Sequence, residues 1–304
     1  MRRRRKTPND SGRTWNTNKG KTKISLYNFL EMSKIKLLSL FFLLNCNFLS
    51  GQTSEGYVLN ENSKHPIEFV NIGVIKKNVG TVSDVNGKYD LLIDTTFDED
   101  TLLFSRVGYI PFLIKISDFK KREDKNIFLK EKIIEIAEVV VNPKNFKEEI
   151  LGVSSQNKKT NAGFKDNQLG YELGILMKAK KTAFIKSVNI NIAKCSYDSI
   201  FYRLNIYEIR GKNDFENILK KPIYINLSKE QIKDVIQIDL QSQNIVAQGN
   251  FLVTLEIVKK LMSKGELYLC AKLLNKTYYR ATSQGDWKTV AAGVSISVVA
   301  DIEK

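Results

Sequence analysis

The chain has 304 residues, with 48 Lys and Arg against 33 Asp and Glu, one histidine and three cysteines, for a formal net charge of +15. A lone histidine excludes a zinc centre built on several imidazoles, and any Ser-His-Asp or Cys-His arrangement would have to recruit His65. Residues 1–51 hold 11 basic against 2 acidic residues, leaving 37 against 31 in 52–304, so the basicity is concentrated at the N-terminus and the lysine pairs elsewhere read as solvated strand ends, not a nucleic-acid stripe.

Residues 32–52, MSKIKLLSLFFLLNCNFLSGQ, place two lysines before an apolar run from Leu37 to Leu44 and then the small residues Ser50 and Gly51. That order predicts a secretory signal peptide over 32–51, with a core too short for a transmembrane helix, and leaves 1–31 as a non-native or unstructured extension ahead of Met32, a second candidate start. Asn45 before Cys46 is a poor lipoprotein site. The expected product is exported, periplasmic or outer-membrane associated or secreted, with no transmembrane helix in the mature chain.

From 52 to 142 short alternating runs (GYVLN, IEFVNIGVI, GTVSD, KYDLLI, TLLFSRV, FLIKI, NIFL) are broken by turn residues, which predicts an antiparallel β-sandwich. Within GTVSDVNGKYD, a calcium loop counted from Asp84 fails, because its glycine arrives fourth, at Gly87, and its twelfth residue is Thr95. Asn86-Gly87 instead suits a two-residue type I′ hairpin turn, after which Tyr89, Leu91 and Ile93 share one face. The acidic FDED turn, Asp98 to Asp100 among it, reads as a solvated hairpin.

Gly80-Thr81 at a strand start, Asp84-x-x-Gly87-x-Tyr89, the Gly108-Tyr109 pair and the closing Glu138-Val139-Val140-Val141 resemble the carboxypeptidase-regulatory-like domain of bacterial envelope proteins. The resemblance implies a seven-stranded, transthyretin-like Greek-key sandwich and a noncatalytic accessory role, often ahead of an outer-membrane receptor barrel or a peptidase. Neither neighbour fits the remaining chain, which is too short for a plug and barrel and lacks zinc-binding histidines. The second half is similar only to uncharacterised envelope β-sandwiches.

Residues 143–168 turn polar and read as a linker, with a short helix at NFKEEIL, before a second β-sandwich over 169–304. Its strand IFYRLNIYEI is apolar in both phases, as for the middle of a sandwich. Cys195 and Cys270 lie in this half, and the sequence leaves open a disulfide or two packed thiols. In TYYRATSQGDWKTVAAG the residues Tyr279, Arg280 and Trp287 gather around a Gly-containing turn, a combination suited to stacking a sugar ring or docking a partner. The opposing reading places Trp287 in the core with Arg280 on a carboxylate. No catalytic residue, metal ligand or cofactor is assigned. The sequence thus predicts an all-β, two-sandwich, exported nonenzymatic envelope protein that binds or scaffolds an envelope glycan or protein. The alternative is an envelope glycan or peptide hydrolase using second-domain carboxylates.

Overall fold

The computed structural model describes residues 52–133, 146–165, 167–261 and 265–304. The expected extension and signal peptide, the 142/143 boundary and the closing Glu138–Val141 lie outside these. The runs of the first half form β1 (Gln52–Asn60), β2 (Asn71–Val74), β3 (Gly80–Val82), β4 (Lys88–Ile93), β5 (Thr101–Ser105), β6 (Phe112–Lys115) and β7 (Ile127–Leu129), with a short helix α1 (Ile116–Lys121) between the last two. They divide into a three-stranded sheet ordered β4-β1-β7 and a four-stranded sheet ordered β3-β2-β5-β6. Alternation assigns the faces: in β4, Tyr89, Leu91 and Ile93 are buried while Lys88, Asp90 and Leu92 are exposed. Between the layers these side chains meet Val58, Ile72, Phe104, Ile127 and, from α1, Phe119. The run IEFVNIGVI is strand only from Asn71 to Val74, because the chain turns sharply at Phe69, whose φ is 52°.

The corner at Asp84–Lys88 is not the expected type I′ hairpin. Of its residues only Gly87 has a positive φ, 72°. Asp84 N donates to Lys88 O at 2.8 Å and Gly87 N to Asp84 O at 3.1 Å, which makes a three-residue loop with a left-handed glycine at its end. The strands it joins belong to different sheets, so it carries the chain from one layer to the other. Asp84 Oδ1 accepts from Asn86 N and Lys88 N, both at 2.8 Å, and so the carboxylate holds the corner. Among the described residues no group of three or more His, Cys, Asp or Glu is placed to hold a metal ion.

The second half contributes thirteen strands: β8 (Phe146–Gly152), β9 (Asn161–Lys165), β10 (Glu172–Met177), β11 (Thr182–Cys195), β12 (Ser199–Gly211), β13 (Asp214–Asn217), β14 (Ile223–Ser228), β15 (Val235–Asp239), β16 (Ile245–Gln248), β17 (Phe251–Ile257), β18 (Glu266–Arg280), β19 (Lys288–Val294) and β20 (Ile296–Glu303). One layer runs β12-β17-β10-β18-β19, with β13 and β14 on the outer side of β12. The other centres on β11, flanked by β20 and β8 on one side and by β15 and β16 on the other. The long strands β11 and β18 also pair with each other, which joins the layers at a bend. Ile175 and Met177, Leu204 and Ile206, and Val253 and Leu255 from the first layer pack on Ile185, Val188, Ile190, Val298 and Ala300 from the second. Burial on both faces accounts for the apolar residues in both phases of β12 and for β17, which is buried at every position.

One expectation is corrected and one question the sequence left open is answered. Residues 143–168 are not only a linker, and NFKEEIL is not a helix: Phe146–Gly152 pairs along β20 as an edge strand, and Asn161–Lys165 pairs with β18. Open hydrogen-bonding edges in the second sandwich outweigh the local helix propensity of this lysine- and glutamate-rich stretch. Nor do the cysteines pair, since both are free. Register puts Cys195 opposite Leu267, three residues from Cys270 along β18. That separation is about 10 Å and inverts the face, beyond the reach of a disulfide.

Gly87 sits where an added Cβ would meet Val58 O at 2.6 Å. Gly87→Val is therefore expected to lower the stability of the first sandwich by more than about 1 kcal/mol in chemical unfolding. Melting temperatures measured in calcium and in chelator should coincide.

Candidate functional site at the junction of the sandwiches

The outward face of the β12-β17-β10-β18 layer carries polar groups where the pleat would ordinarily leave them in water. Arg203, Asn205 and Tyr207 come from β12, Thr254 and Glu256 from β17, Glu172 from β10 and Arg280 from β18, and all seven are buried. Burial of four ionisable side chains is tolerable only if each is paired and hydrogen-bonded. Arg203 Nε and Nη2 donate to Glu256 Oε2 at 3.1 and 2.8 Å. Arg280 Nε donates to Glu172 Oε2 at 2.7 Å. Asn205 Nδ2 bridges the acids, donating to Glu172 Oε1 at 2.9 Å and Glu256 Oε2 at 2.8 Å, while Tyr207 OH and Thr254 Oγ1 also donate to Glu172 Oε1. Glu256 Oε1 is buried with no hydrogen-bond partner among the described residues.

Burial pushes the Glu172 carboxyl above its ordinary range; the Arg280 guanidinium opposes this, and Glu256 adds to the rise. For Arg280 burial works against the charge, but Glu172 outweighs it with help from Tyr207 and Glu256, and the guanidinium is held protonated more firmly than usual. Arg203 follows the same balance, with Glu256 prevailing over burial.

The first sandwich covers the Arg203 end of this face. Arg203 Nη1 donates to Phe69 O at 2.7 Å, and its Nη2 also donates to Asn71 Oδ1. The left-handed backbone at Phe69 aims that carbonyl at the guanidinium and packs the ring against the stacked pair Phe201 and Tyr224, at centroid distances of 5.2 and 5.4 Å. Phe69, Val82 and Val258 form a small buried cluster there, with Leu169, Phe201 and Tyr224 packed around it. A second contact lies in the turn after β18. Gln284 O accepts from Lys76 N at 2.9 Å, Gln284 Nε2 donates to Ser105 Oγ at 2.7 Å, and Ser283 O approaches Gly73 so closely that an added Cβ would lie 2.2 Å from it. Residues 51–304 accordingly form one compact unit.

The sequence-predicted surface of Tyr279, Arg280 and Trp287 is divided by this arrangement. Arg280 is not a surface cation: it is buried against Glu172, with its guanidinium 5.0 Å from the half-buried Trp287 ring. Trp287 also meets Phe215 and Tyr207 edge-on, at 5.4 and 6.0 Å. Tyr279, one residue from Arg280, faces the other side of β18 and packs on the main core near Tyr171. The alternation of a strand separates neighbours that look adjacent in sequence. Sequence reasoning missed Arg203, Glu256, Glu172 and Asn205. Their signal was there: a charged or amide side chain inside a strand apolar in both phases must be buried and must find a partner.

With this geometry described, comparison with known proteins adds one identification. Residues 54–141 match the CarboxypepD_reg-like domain family. The first sandwich is a CarboxypepD_reg-like domain. The Phe69 and Gly73 contacts therefore belong to this domain, and the charged cluster belongs to the half that the family does not reach. No curated protein matches the chain. A solved structure of the infectious bursal disease virus Gt strain aligns over 83% of this chain and 65% of its own at 9% identity and a TM-score of 0.19. The T13 particle of the same virus aligns over 82% and 61%, at 9% identity and a TM-score of 0.16. The chain thus spans 61–65% of the length of these viral structures, less than two thirds, and TM-scores at this level establish no shared fold.

Replacing Arg203 by Met strands Glu256 and removes the bonds to Phe69 and Asn71, which should cost about 3–5 kcal/mol in urea unfolding. Glu172 supplies a pH dependence. Its folded-state pKa is raised, so its contribution is fully present below the ordinary carboxylate range and lost as pH rises through the raised value. Wild type should lose stability relative to Glu172→Gln as pH increases across that window in parallel urea titrations.

Proposed function

We propose that this is an exported, nonenzymatic envelope protein in which a CarboxypepD_reg-like domain and a second β-sandwich, held as one body, bind or scaffold an envelope glycan or an envelope protein. The observation that carries this reading is the state of the best-placed carboxylates. Glu172 and Glu256 share Asn205, are each bonded to an arginine, and have no exposed surface. A hydrolase needs its acid pair open to substrate and water. Here the same residue types join two domains. The CarboxypepD_reg-like domain is a noncatalytic, binding-type module, which supports the same reading. No helix among the described residues is long and apolar enough to cross a membrane. Strands β6 and β8, each with a single partner strand among the described residues, offer edges to which an extended segment of another protein can add.

The test expresses the chain with its own N-terminus in a two-membrane bacterium, fractionates the cells, and assays the purified product on envelope glycans and peptides. Recovery in the envelope fraction, starting close to Gln52, with retention on a ligand but no turnover, is the expected result. Turnover that disappears in a folded Glu172→Gln or Glu256→Gln variant would establish the hydrolase instead.

A further inference from the structure

The middle of β18 breaks its ladder with β19. Leu273 pairs with Ala292 and Thr277 with Val290, so Leu274, Asn275 and Lys276 bulge out opposite the single residue Ala291. The bulge is built rather than frayed: Thr277 Oγ1 donates to Ala292 O and accepts from Val294 N at 2.9 Å, closing the ladder behind it. At its tip Leu274 is 97% exposed and Leu273 64% exposed, and Leu274 holds a φ of 67°. A left-handed backbone is unfavourable for leucine, and here it presents an apolar side chain to solvent. Lys272 and Lys276 flank the pair, both exposed and neither in an ion pair among the described residues. After Glu266 no carboxylate occurs in β18, nor is there one in its partner strands β9, β11 and β19, and the one acid of its partner β10 is the buried Glu172 opposite Arg280.

From this geometry we infer that the Lys272–Lys276 bulge inserts into an anionic lipid surface, its two leucines entering the acyl boundary and its lysines meeting lipid phosphates. The shape selects this occupant. A convex apolar tip offers a protein partner no groove to fill, whereas a fluid bilayer closes around any small apolar projection, and the lysines with no acid nearby match a phosphate plane. The bulge lies on β18 four residues before the buried Arg280, but its leucines and lysines are exposed, and the inference stands whether or not the chain is exported.

The experiment uses the full chain with vesicles of phosphatidylcholine, with or without phosphatidylglycerol, carrying a photoactivatable acyl chain. Adducts are mapped by peptide mass spectrometry, because residues 1–51 can bind vesicles on their own account. The expected result is an adduct within residues 272–276 that needs phosphatidylglycerol. It should fall on the order of tenfold or more in Leu273→Ser/Leu274→Ser, and about fivefold for each lysine changed to alanine. The leucine variant should keep the wild-type melting temperature, since both side chains are already in water. Adducts confined to residues 1–51, equal labelling with neutral vesicles, or a bulge that cross-links a second copy of the chain and not lipid would each overturn the inference.

Discussion

A guanidinium taken out of water must be answered on every side, and Arg203 is answered by two different sandwiches at once. Glu256, on the neighbouring strand, neutralises it, while Phe69 O and Asn71 Oδ1 of the first sandwich accept its remaining donors. Separating the sandwiches would leave this ion pair with unfilled donors and return the Phe69 ring to solvent. The apolar part of the contact resists separation, and the directional part admits only one relative placement, since a shift of a residue would break the bonds to Arg203.

The cluster behind Arg203 extends that constraint through the sheet. Asn205 touches both acids, Tyr207 and Thr254 complete the shell of Glu172, and Arg280 closes the far side beneath Trp287. Two carboxylates and two guanidiniums balance in charge, which lets the outer face of a central sheet be buried without an apolar surface. The turn that follows Arg280 then reaches the first sandwich through Ser283 and Gln284. One short stretch of β18 and its turn therefore belongs to both the internal charge network and the domain contact. This position explains why its aromatics and arginine look like a ligand surface in sequence and do not form one in the fold.

Rigidity is the functional consequence. A binding or scaffolding protein gains when its contact surfaces are held at a fixed separation, because a partner that spans both sandwiches then spends no free energy ordering them. Features left at the periphery, the edges of β6 and β8 and the Leu273–Leu274 bulge, become elements at defined positions on one body.

Much of the fold was legible from period alone. Tyr89, Leu91 and Ile93 alternate with polar residues and are buried; IFYRLNIYEI is apolar in both phases and lies inside a sheet; Gly87 stands where a left-handed residue is required. Local pattern carries these because they depend on residues within a few positions of one another. The strand at Phe146–Gly152 was not legible, since its conformation comes from β20, some 150 residues away in the chain. The same holds for the cysteines, separated by a register that no spacing encodes, and for Tyr279 and Arg280, sent to opposite faces by the pleat. By itself the sequence determined an all-β chain with a CarboxypepD_reg-like first half, because alternation and turn residues act locally. Only the tertiary structure decided that Arg203, Glu256, Glu172 and Arg280 meet in one buried cluster, because whether a buried charge is a reactive group or a structural one depends on which distant groups surround it.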